Sequence, residues 1–216
     1  MMAAELIHEV LPVGFLQCNC HVVGDSETRE AIVIDPGDEP EAILAALHRH
    51  NLKVKTILIT HAHPDHVGGA AKLKAATGAP VLMHAEDRWL LENVAMQCAT
   101  FGFSAPPAVA MDAAMKPGDE IHWGASLRAQ VLHTPGHTPG SSCLYLPDHK
   151  ILFAGDTLFA GSIGRTDLWG GSYDAILRSI HSQLLPLDDA TCVFPGHGPA
   201  TTMGDEKEGN PFLQGL

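Results

Sequence analysis

The chain has 216 residues, of which 45% are hydrophobic and 18% are charged. This is the balance of a globular protein rather than of a disordered one. Asp and Glu outnumber Lys and Arg by 25 to 13, so the formal net charge is −12, and the summed field repels nucleic acids.

The sequence contains no apolar stretch long enough to span a membrane, and its first five residues lack the basic character of a secretory signal. We therefore predict a cytoplasmic protein with no membrane partner. The five cysteines include Cys18 and Cys20, which are separated by one residue rather than by the two residues of a redox or zinc motif. We predict that all five are reduced.

The first half of the chain alternates strand-like and helix-like segments. The spacing of Ile43, Leu44 and Leu47 is that of one helix face, and Gly78 is a typical residue for ending a helix. The predicted elements, in chain order, are strands over 6–12, 20–24 and 31–35, a helix over 40–50, a strand over 54–60, a helix over 67–77, a strand over 80–84 and a short helix over 86–96, followed by a loop.

The second half is again rich in short apolar runs divided by turn residues. The predicted elements are strands over 121–123, 127–132, 142–146 and 151–153, a helix over 173–182 and a last strand over 191–194. Two β-rich halves that each carry helices predict two sheets packed together, with helices on their outer faces. Since no linker or low-complexity segment divides the chain, we predict a single domain over residues 1–216.

Four side chains that can bind a metal lie within six positions, directly after the strand predicted over 54–60. They are His61, His63, Asp65 and His66. Imidazoles two positions apart on a turn can converge on one divalent ion, and the carboxylate and imidazole that follow offer a second pair of ligands nearby. A polar surface loop is the alternative interpretation, and it would leave the density of these residues without an explanation.

Three further residues of the same kind each follow a strand-like run. His137 follows the strand over 127–132, Asp156 follows the run over 151–155, and His197 follows the strand over 191–194. Loops at strand ends are where metal and catalytic residues usually lie. The joint pattern predicts one metal site assembled from four segments of the chain.

This pattern resembles the metallo-β-lactamase superfamily, whose His-x-His-x-Asp-His motif matches residues 61–66 and whose later His, Asp and His match His137, Asp156 and His197. The resemblance covers nearly the whole chain and implies an α/β fold, the four-layer αβ/βα sandwich, with a binuclear site at one edge. It also implies a ligand set: His61, His63 and His137 for one ion, Asp65, His66 and His197 for the other, and Asp156 between them. The resemblance thus implies two divalent ions. Because no cysteine lies at these positions, the ligand chemistry excludes a thiolate site, and we expect zinc first, with iron and manganese as alternatives.

Within that superfamily, residues 155–168 resemble the glyoxalase II branch, the hydroxyacylglutathione hydrolases. The resemblance implies a metal-dependent hydrolase that cleaves small thioesters, including glutathione conjugates, through a metal-bound hydroxide. Asp65 is the expected catalytic residue because its carboxylate can orient that nucleophile. Asp156 and Phe159 disfavour two other branches, since many zinc β-lactamases have cysteine at the first position and lactone hydrolases have tyrosine at the second.

Two features leave alternatives open. The Gly-Arg-Thr-Asp stretch at 164–167 is shared with persulfide dioxygenases, in which one iron would be held by His61, His137 and Asp156, and residues 198–216 are too few for the helical domain with which longer glyoxalase II proteins bind glutathione. Arg165 has two equally weighted roles, pairing with a substrate carboxylate or structural pairing with Asp167 or another buried acid. The sequence does not indicate the oligomeric state.

Overall fold

The computed structural model describes residues 5–215, which form two six-stranded sheets and a small hairpin. The strands of the first sheet are β1 (Leu6–Val13), β2 (Cys18–Asp25), β3 (Glu30–Ile34), β4 (Lys53–Leu58), β5 (Val81–His84) and β6 (Ala113–Met115). They lie side by side in chain order. The pairs β1–β2 and β2–β3 are antiparallel, and the remaining pairs are parallel.

The second sheet comes from the second half of the chain. Its strands are β7 (Glu120–Trp123), β8 (Leu127–His133), β9 (Ser142–Leu146), β10 (Ile151–Gly155), β13 (Cys192–Pro195) and β14 (Thr201–Thr202). The order across the sheet is β14-β13-β10-β9-β8-β7, and β10 pairs with β13 in parallel. The separate hairpin consists of β11 (Leu158–Phe159) and β12 (Ser162–Ile163).

Seven α-helices cover the outer faces of the two sheets within the described residues. They are α1 (Pro40–Arg49), α2 (Pro64–Val67), α3 (Ala70–Thr77), α4 (Arg88–Glu92), α5 (Val94–Phe101), α6 (Tyr173–Ser179) and α7 (Met203–Gly209). None of them has the length and apolar character needed to cross a membrane.

Alternation of side chains along the strands produces three apolar layers. Successive strand residues point to opposite faces, so Ile32 of β3 packs between the two sheets while Val33 faces the helices. The layer between the sheets also contains Phe153 of β10, and a third layer joins the second sheet to α6 and α7. The helix–sheet–sheet–helix order confirms the predicted four-layer αβ/βα sandwich. The extent of a single domain over 1–216 stays a prediction.

The prediction of one continuous helix over 67–77 is wrong, because the chain forms two helices there, α2 and α3. The chain bends at Gly68 and Gly69, where the amide of Gly69 donates to the carbonyl of Pro36 at 2.8 Å and a Cβ at Gly68 would lie 2.3 Å from the carbonyl oxygen of Gly37. The helix predicted over 86–96 also divides. A 3₁₀ turn leads into α4, and α5 extends through part of the predicted loop to Phe101.

All five cysteines are free, as predicted. Four of them are buried and Cys192 is half-buried. Strand β6 and helix α7 were not predicted from the sequence.

Candidate metal centre

The carboxyl ends of four strands meet at one edge of the sandwich. The chain leaving β4 carries residues 61–66, and the loop after β8 carries His137. Asp156 follows β10 directly, and His197 follows β13 after one glycine. Local sequence explains part of this arrangement: Pro64 at the first turn of α2 ends the extended segment and lets Asp65 and His66 enter a helix. The structure brings all seven predicted ligand side chains together at this edge.

Three buried imidazoles, which we call the imidazole triad, form the inner part of the cluster: His61, His63 and His137. His61 Nε2 lies 3.1 Å from His63 Nδ1. His137 Nε2 lies 3.2 Å from His61 Nε2 and 2.9 Å from His63 Nδ1. Ligands about 2.05 Å from a tetrahedral zinc ion are about 3.3 Å apart. The three nitrogens are therefore spaced nearly as they would be around one ion.

The outer part of the cluster, which we call the Asp65 group, contains Asp65, His66 and His197. Asp65 Oδ2 lies 3.1 Å from His197 Nε2 and 3.7 Å from His66 Nε2. This second set of three donors adjoins the triad, and it combines oxygen with nitrogen ligands.

Asp156 lies between the two sets. Its Oδ1 is 3.4 Å from His66 Nε2, and its Oδ2 is 3.6 Å from His137 Nε2 and 3.8 Å from His197 Nε2. One carboxylate thus faces both the imidazole triad and the Asp65 group, which is the placement needed to contact two ions.

Hydrogen bonds on the far side of four rings determine which nitrogen carries the proton. The carbonyl of Arg165 accepts from His137 Nδ1 at 2.8 Å, and the carbonyl of Leu16 accepts from His197 Nδ1 at 3.0 Å. Asp35 accepts from His66 Nδ1 at 2.9 Å. Since these oxygens cannot donate, each neutral ring has its lone pair on Nε2, toward the cluster.

His61 follows the same rule. The hydroxyl of Thr60 donates to Asp35 Oδ2 at 2.6 Å and is left to accept from His61 Nδ1 at 3.1 Å. The Nε2 lone pairs of His61 and His137 consequently face each other at 3.2 Å with no proton between them. Such an arrangement is repulsive unless a cation lies there.

Unsatisfied polar atoms also indicate that the cluster binds a cation. Three buried atoms at the cluster have no hydrogen-bond partner: His63 Nε2, His66 Nε2 and Asp156 Oδ1. Buried polar atoms in native proteins are almost always paired, and here two of the three, His66 Nε2 and Asp156 Oδ1, lie 3.4 Å apart. The residues present therefore fit divalent cations.

Burial keeps His61 and His63 in the form that binds metals. Burial first, and then the neighbouring imidazoles, lower the pKa of His61 well below its ordinary value. The pKa of His63 is lowered for the same reasons, burial and then His137. Burial would raise the pKa of Asp65, but His66 and His197 hold it well below its usual range. Neutral imidazoles beside an ionised carboxylate are the protonation states that metal ligands require.

Two buried carboxylates beside the ligands were not predicted from the sequence. Asp35 binds Thr60 and His66, and Asp87 binds the backbone between two candidate ligands. Their signal in the sequence is weak, since an aspartate after a strand is typical of any turn or helix start.

Cys18 is a neighbour of the cluster that the sequence also did not reveal. Its Sγ lies 3.6 Å from His66 Nδ1, on the side of the ring that faces Asp35. Burial raises the pKa of this thiol to about 12, so it remains protonated and is a poor metal ligand.

A cavity of about 820 Å³ opens above the cluster. Five of the candidate ligands line it, and so do four exposed apolar side chains, which we call the apolar rim: Phe15, Leu16, Phe101 and Phe103. The ring centroids of Phe15 and Phe103 are 6.3 Å apart. A contiguous exposed apolar surface beside polar groups is typical of a binding site.

Arg165 also lines this cavity. Its guanidinium forms two hydrogen bonds with Asp167, at 2.7 and 2.9 Å. Of the two roles predicted for Arg165, the structure contains the pairing with Asp167.

The backbone approaches the ligands closely at two glycines. A Cβ on Gly196 would lie 2.2 Å from Asp156 Oδ1, and one on Gly164 would lie 1.8 Å from the carbonyl oxygen of Asp156. Neither position has room for a side chain.

Comparison with known proteins agrees with this geometry. Residues 13–197 match the family description "Metallo-beta-lactamase superfamily". The hydroxyacylglutathione hydrolase GloC of Haemophilus influenzae is 39% identical over 206 residues, which are 95% of this chain and 97% of the relative.

Two solved structures are also similar. BLEG-1 B3 metallo-beta-lactamase has a TM-score of 0.91 and 39% identity, and the match covers 97% of this chain and 100% of that one. TTHA1623, crystallised in a di-iron-bound form, has a TM-score of 0.87 and 40% identity over 95% of this chain and 100% of that one. The names of these relatives indicate two different substrates and one bound metal.

Proposed function

This chain belongs to the metallo-beta-lactamase superfamily and is a metallo-hydrolase of that superfamily, and we propose that its substrates are small thioesters such as hydroxyacylglutathione. The observation that carries the proposal is the convergence of seven ligand side chains at one edge of the sandwich, where five of them line one cavity. The likeness to GloC of Haemophilus influenzae supports the choice of substrate class. A cytoplasmic location and the lack of nucleic-acid and membrane partners stay predictions.

The ligand assignment is part of the proposal. The imidazole triad would hold one divalent ion, the Asp65 group would hold a second, and Asp156 would contact both. Zinc is our first choice for both ions, and the di-iron form of a similar protein supports iron as the alternative, while manganese remains a further candidate. When bound, such ions polarise a carbonyl group and lower the pKa of a water molecule from about 15.7 toward about 7.

Asp65 is the proposed catalytic residue. Its carboxylate lines the cavity and keeps 22% of its side-chain surface exposed, so a water molecule entering from the cavity can donate a hydrogen bond to it. An ionised carboxylate that accepts this bond orients the oxygen of the water toward the substrate. His197 Nε2, which is 3.1 Å from Asp65 Oδ2, would bind the same ion as that carboxylate.

A thioester fits the rest of the cavity. Outside the seven ligands, the titratable groups of the lining are Asp38, Lys72, Cys98 and Arg165, and Asp167 already pairs with Arg165. A thiolate leaves easily because its conjugate acid has a pKa of about 8.5, so no general acid is needed. An amide nitrogen would require protonation. We therefore favour a thioester over an amide substrate.

Lys72 supports a glutathione conjugate among thioesters. Its ammonium lies 3.9 Å from Glu41, and both side chains are exposed. So loose a pair contributes little and leaves this cation free to bind a substrate carboxylate at the edge of the cavity.

The decisive experiment measures thiol release from lactoylglutathione by the purified protein loaded with zinc and, separately, with iron. We expect turnover by wild-type protein, strong loss of turnover in Asp65→Asn, and near-normal turnover in Asp38→Asn, the matched variant of a cavity carboxylate outside the ligand set. Parallel assays follow oxygen uptake with glutathione persulfide and hydrolysis of a β-lactam. No thiol release by either metal form would refute the proposal, and oxygen uptake by the iron form would indicate the dioxygenase instead.

A further inference from the structure

Asp87 is a fully buried carboxylate just after β5, in the 3₁₀ turn Ala85–Asp87. It accepts three hydrogen bonds. The amide of Ala62 and the hydroxyl of Thr138 donate to Oδ2 at 2.9 and 2.8 Å, and the amide of Gly140 donates to Oδ1 at 2.6 Å. Hydrogen bonds to an ionised acceptor are stronger than neutral ones.

The donors belong to the two loops that carry the imidazole triad. Ala62 lies between His61 and His63, and Thr138 directly follows His137. A single carboxylate therefore joins the chain after β4 to the chain after β8. The contact is close: a Cβ on Gly140 would lie 2.7 Å from Asp87 Cγ.

Gln97 binds the backbone of the same residue, Ala62, at its carbonyl. Its Nε2, on helix α5, donates to the carbonyl of Ala62 at 3.1 Å and to the carbonyl of Leu90 at 2.8 Å. The peptide groups that flank Ala62 are thus held at the N–H by Asp87 and at the carbonyl by Gln97, and this limits how far the two neighbouring histidines can turn.

We propose that Asp87 is a positioning residue for the ion held by the imidazole triad, acting through the backbone on either side of the ligands. The inference rests on the proposed metal centre. It goes beyond that centre because Asp87 touches none of the ligand nitrogens and fixes instead the spacing between two loops that the chain separates by more than 70 positions.

The effect is specific to one half of the cluster. In the Asp65 group, His66 is held by Asp35 and His197 by the carbonyl of Leu16. Within the described residues, none of the hydrogen bonds of Asp87 reaches those supports. Loss of Asp87 should therefore weaken the first ion and spare the second.

The test is a titration of the metal-free protein with Co²⁺, in which the visible absorption of the bound ion reports binding. We expect Asp87→Asn to lower the affinity for the first Co²⁺ by about 10- to 100-fold, the usual effect of removing a group that orients metal ligands, and to change the absorption spectrum. Asn retains the size of Asp but places an NH₂ group opposite an N–H or O–H donor.

Asp25→Asn is the matched control. Asp25 is also fully buried and also accepts three hydrogen bonds, all from backbone amides, those of Glu27, Thr28 and Ala125, at 2.7, 3.0 and 2.7 Å. It joins two turns that carry no candidate ligand. We expect this variant to lose thermal stability while its Co²⁺ affinity and spectrum stay those of wild-type protein.

Thr138→Val provides the second variant, which decides the question even where Asp87→Asn does not fold. It removes one of the three donors, and we expect a severalfold loss of first-ion affinity. Wild-type affinity and spectrum in Asp87→Asn or in Thr138→Val, or an equal loss in Asp25→Asn, would overturn the positioning role alone. Wild-type protein that takes up no Co²⁺ would overturn the metal centre itself and the inference with it.

Discussion

In the imidazole triad, His61 and His137 are 1% and 2% exposed, and their loops are joined by a buried carboxylate. In the Asp65 group, the side chains of His197 and Asp65 keep 26% and 22% of their surface exposed, and the carbonyl that accepts from His197 belongs to Leu16 in an exposed turn. The triad is thus almost completely buried, whereas two of the three ligands of the Asp65 group keep about a quarter of their side-chain surface exposed. We expect the first half to retain its ion and the second half to exchange its ion and meet the substrate.

The largest effect should come from the residue that belongs to both halves. Asp156→Ala removes a ligand from each ion and the anion between them, so we expect loss of both ions and more than about 100-fold loss of kcat/KM, beyond the usual cost of removing an outer-shell partner. Metal analysis after desalting, combined with the thioester assay, measures this. A variant with two bound ions and normal turnover would show that the ligand assignment is wrong.

A pair of histidine variants tests the contrast directly. We expect His63→Ala to bind at most one ion and to lose turnover, because it opens the buried half. We expect His197→Ala to keep the triad ion and to retain a measurable fraction of turnover. Metal stoichiometry and kcat are compared at equal protein concentration, and the reverse order of damage would contradict the distinction between the halves.

Removal of metal should proceed in two steps. Treatment of the loaded protein with a chelator should release the ion of the Asp65 group first, since that half is open to the cavity, and the triad ion should follow more slowly. The thermal midpoint should fall at each step, because an ion that binds the folded state stabilises it. Release of both ions at the same rate would contradict the distinction between the imidazole triad and the Asp65 group.

The smallest predicted effect concerns the rim that adjoins the open half. Phe15 is 87% exposed beside the cavity, so Phe15→Ala should raise KM for a thioester by about two- to tenfold, as loss of part of an apolar contact does, with little change in kcat. Trp89→Ala is the matched control, since Trp89 is also exposed but does not belong to the cavity lining. Equal changes in the two variants would show that the apolar rim does not contact substrate.

The sequence predicted what depends on local pattern. The helix over 40–50 and the strand over 127–132 agree with α1 and β8 within a residue, because each has a clear apolar period. The seven side chains now found together were identified because each stands at a strand end and has metal-binding chemistry. Their role as ligands stays a prediction until metal is measured.

What the sequence did not reveal depends on contacts across space. Asp87 matters because it meets Ala62 and Thr138, which are distant in the chain. The break between α2 and α3 depends on the approach of Gly69 to the carbonyl of Pro36. Helix α7 is short and mostly polar, and its buried Glu206 accepts hydrogen bonds from Gly161 and Asn210. None of these pairings leaves a period or a motif in the sequence.

The two glycines pressed against Asp156 have a consequence for how such an enzyme can change over generations. Any side chain at Gly164 or Gly196 would collide with the carboxylate or the backbone of Asp156. Substitutions at these two positions should therefore displace Asp156 and abolish the reaction. The turn at residues 14–17 and the segment that follows α5 carry no such constraint. New substrate preferences should therefore arise by substitution in these two segments, while the glycines beside Asp156 are inherited unchanged. Libraries for directed evolution should vary the same two segments.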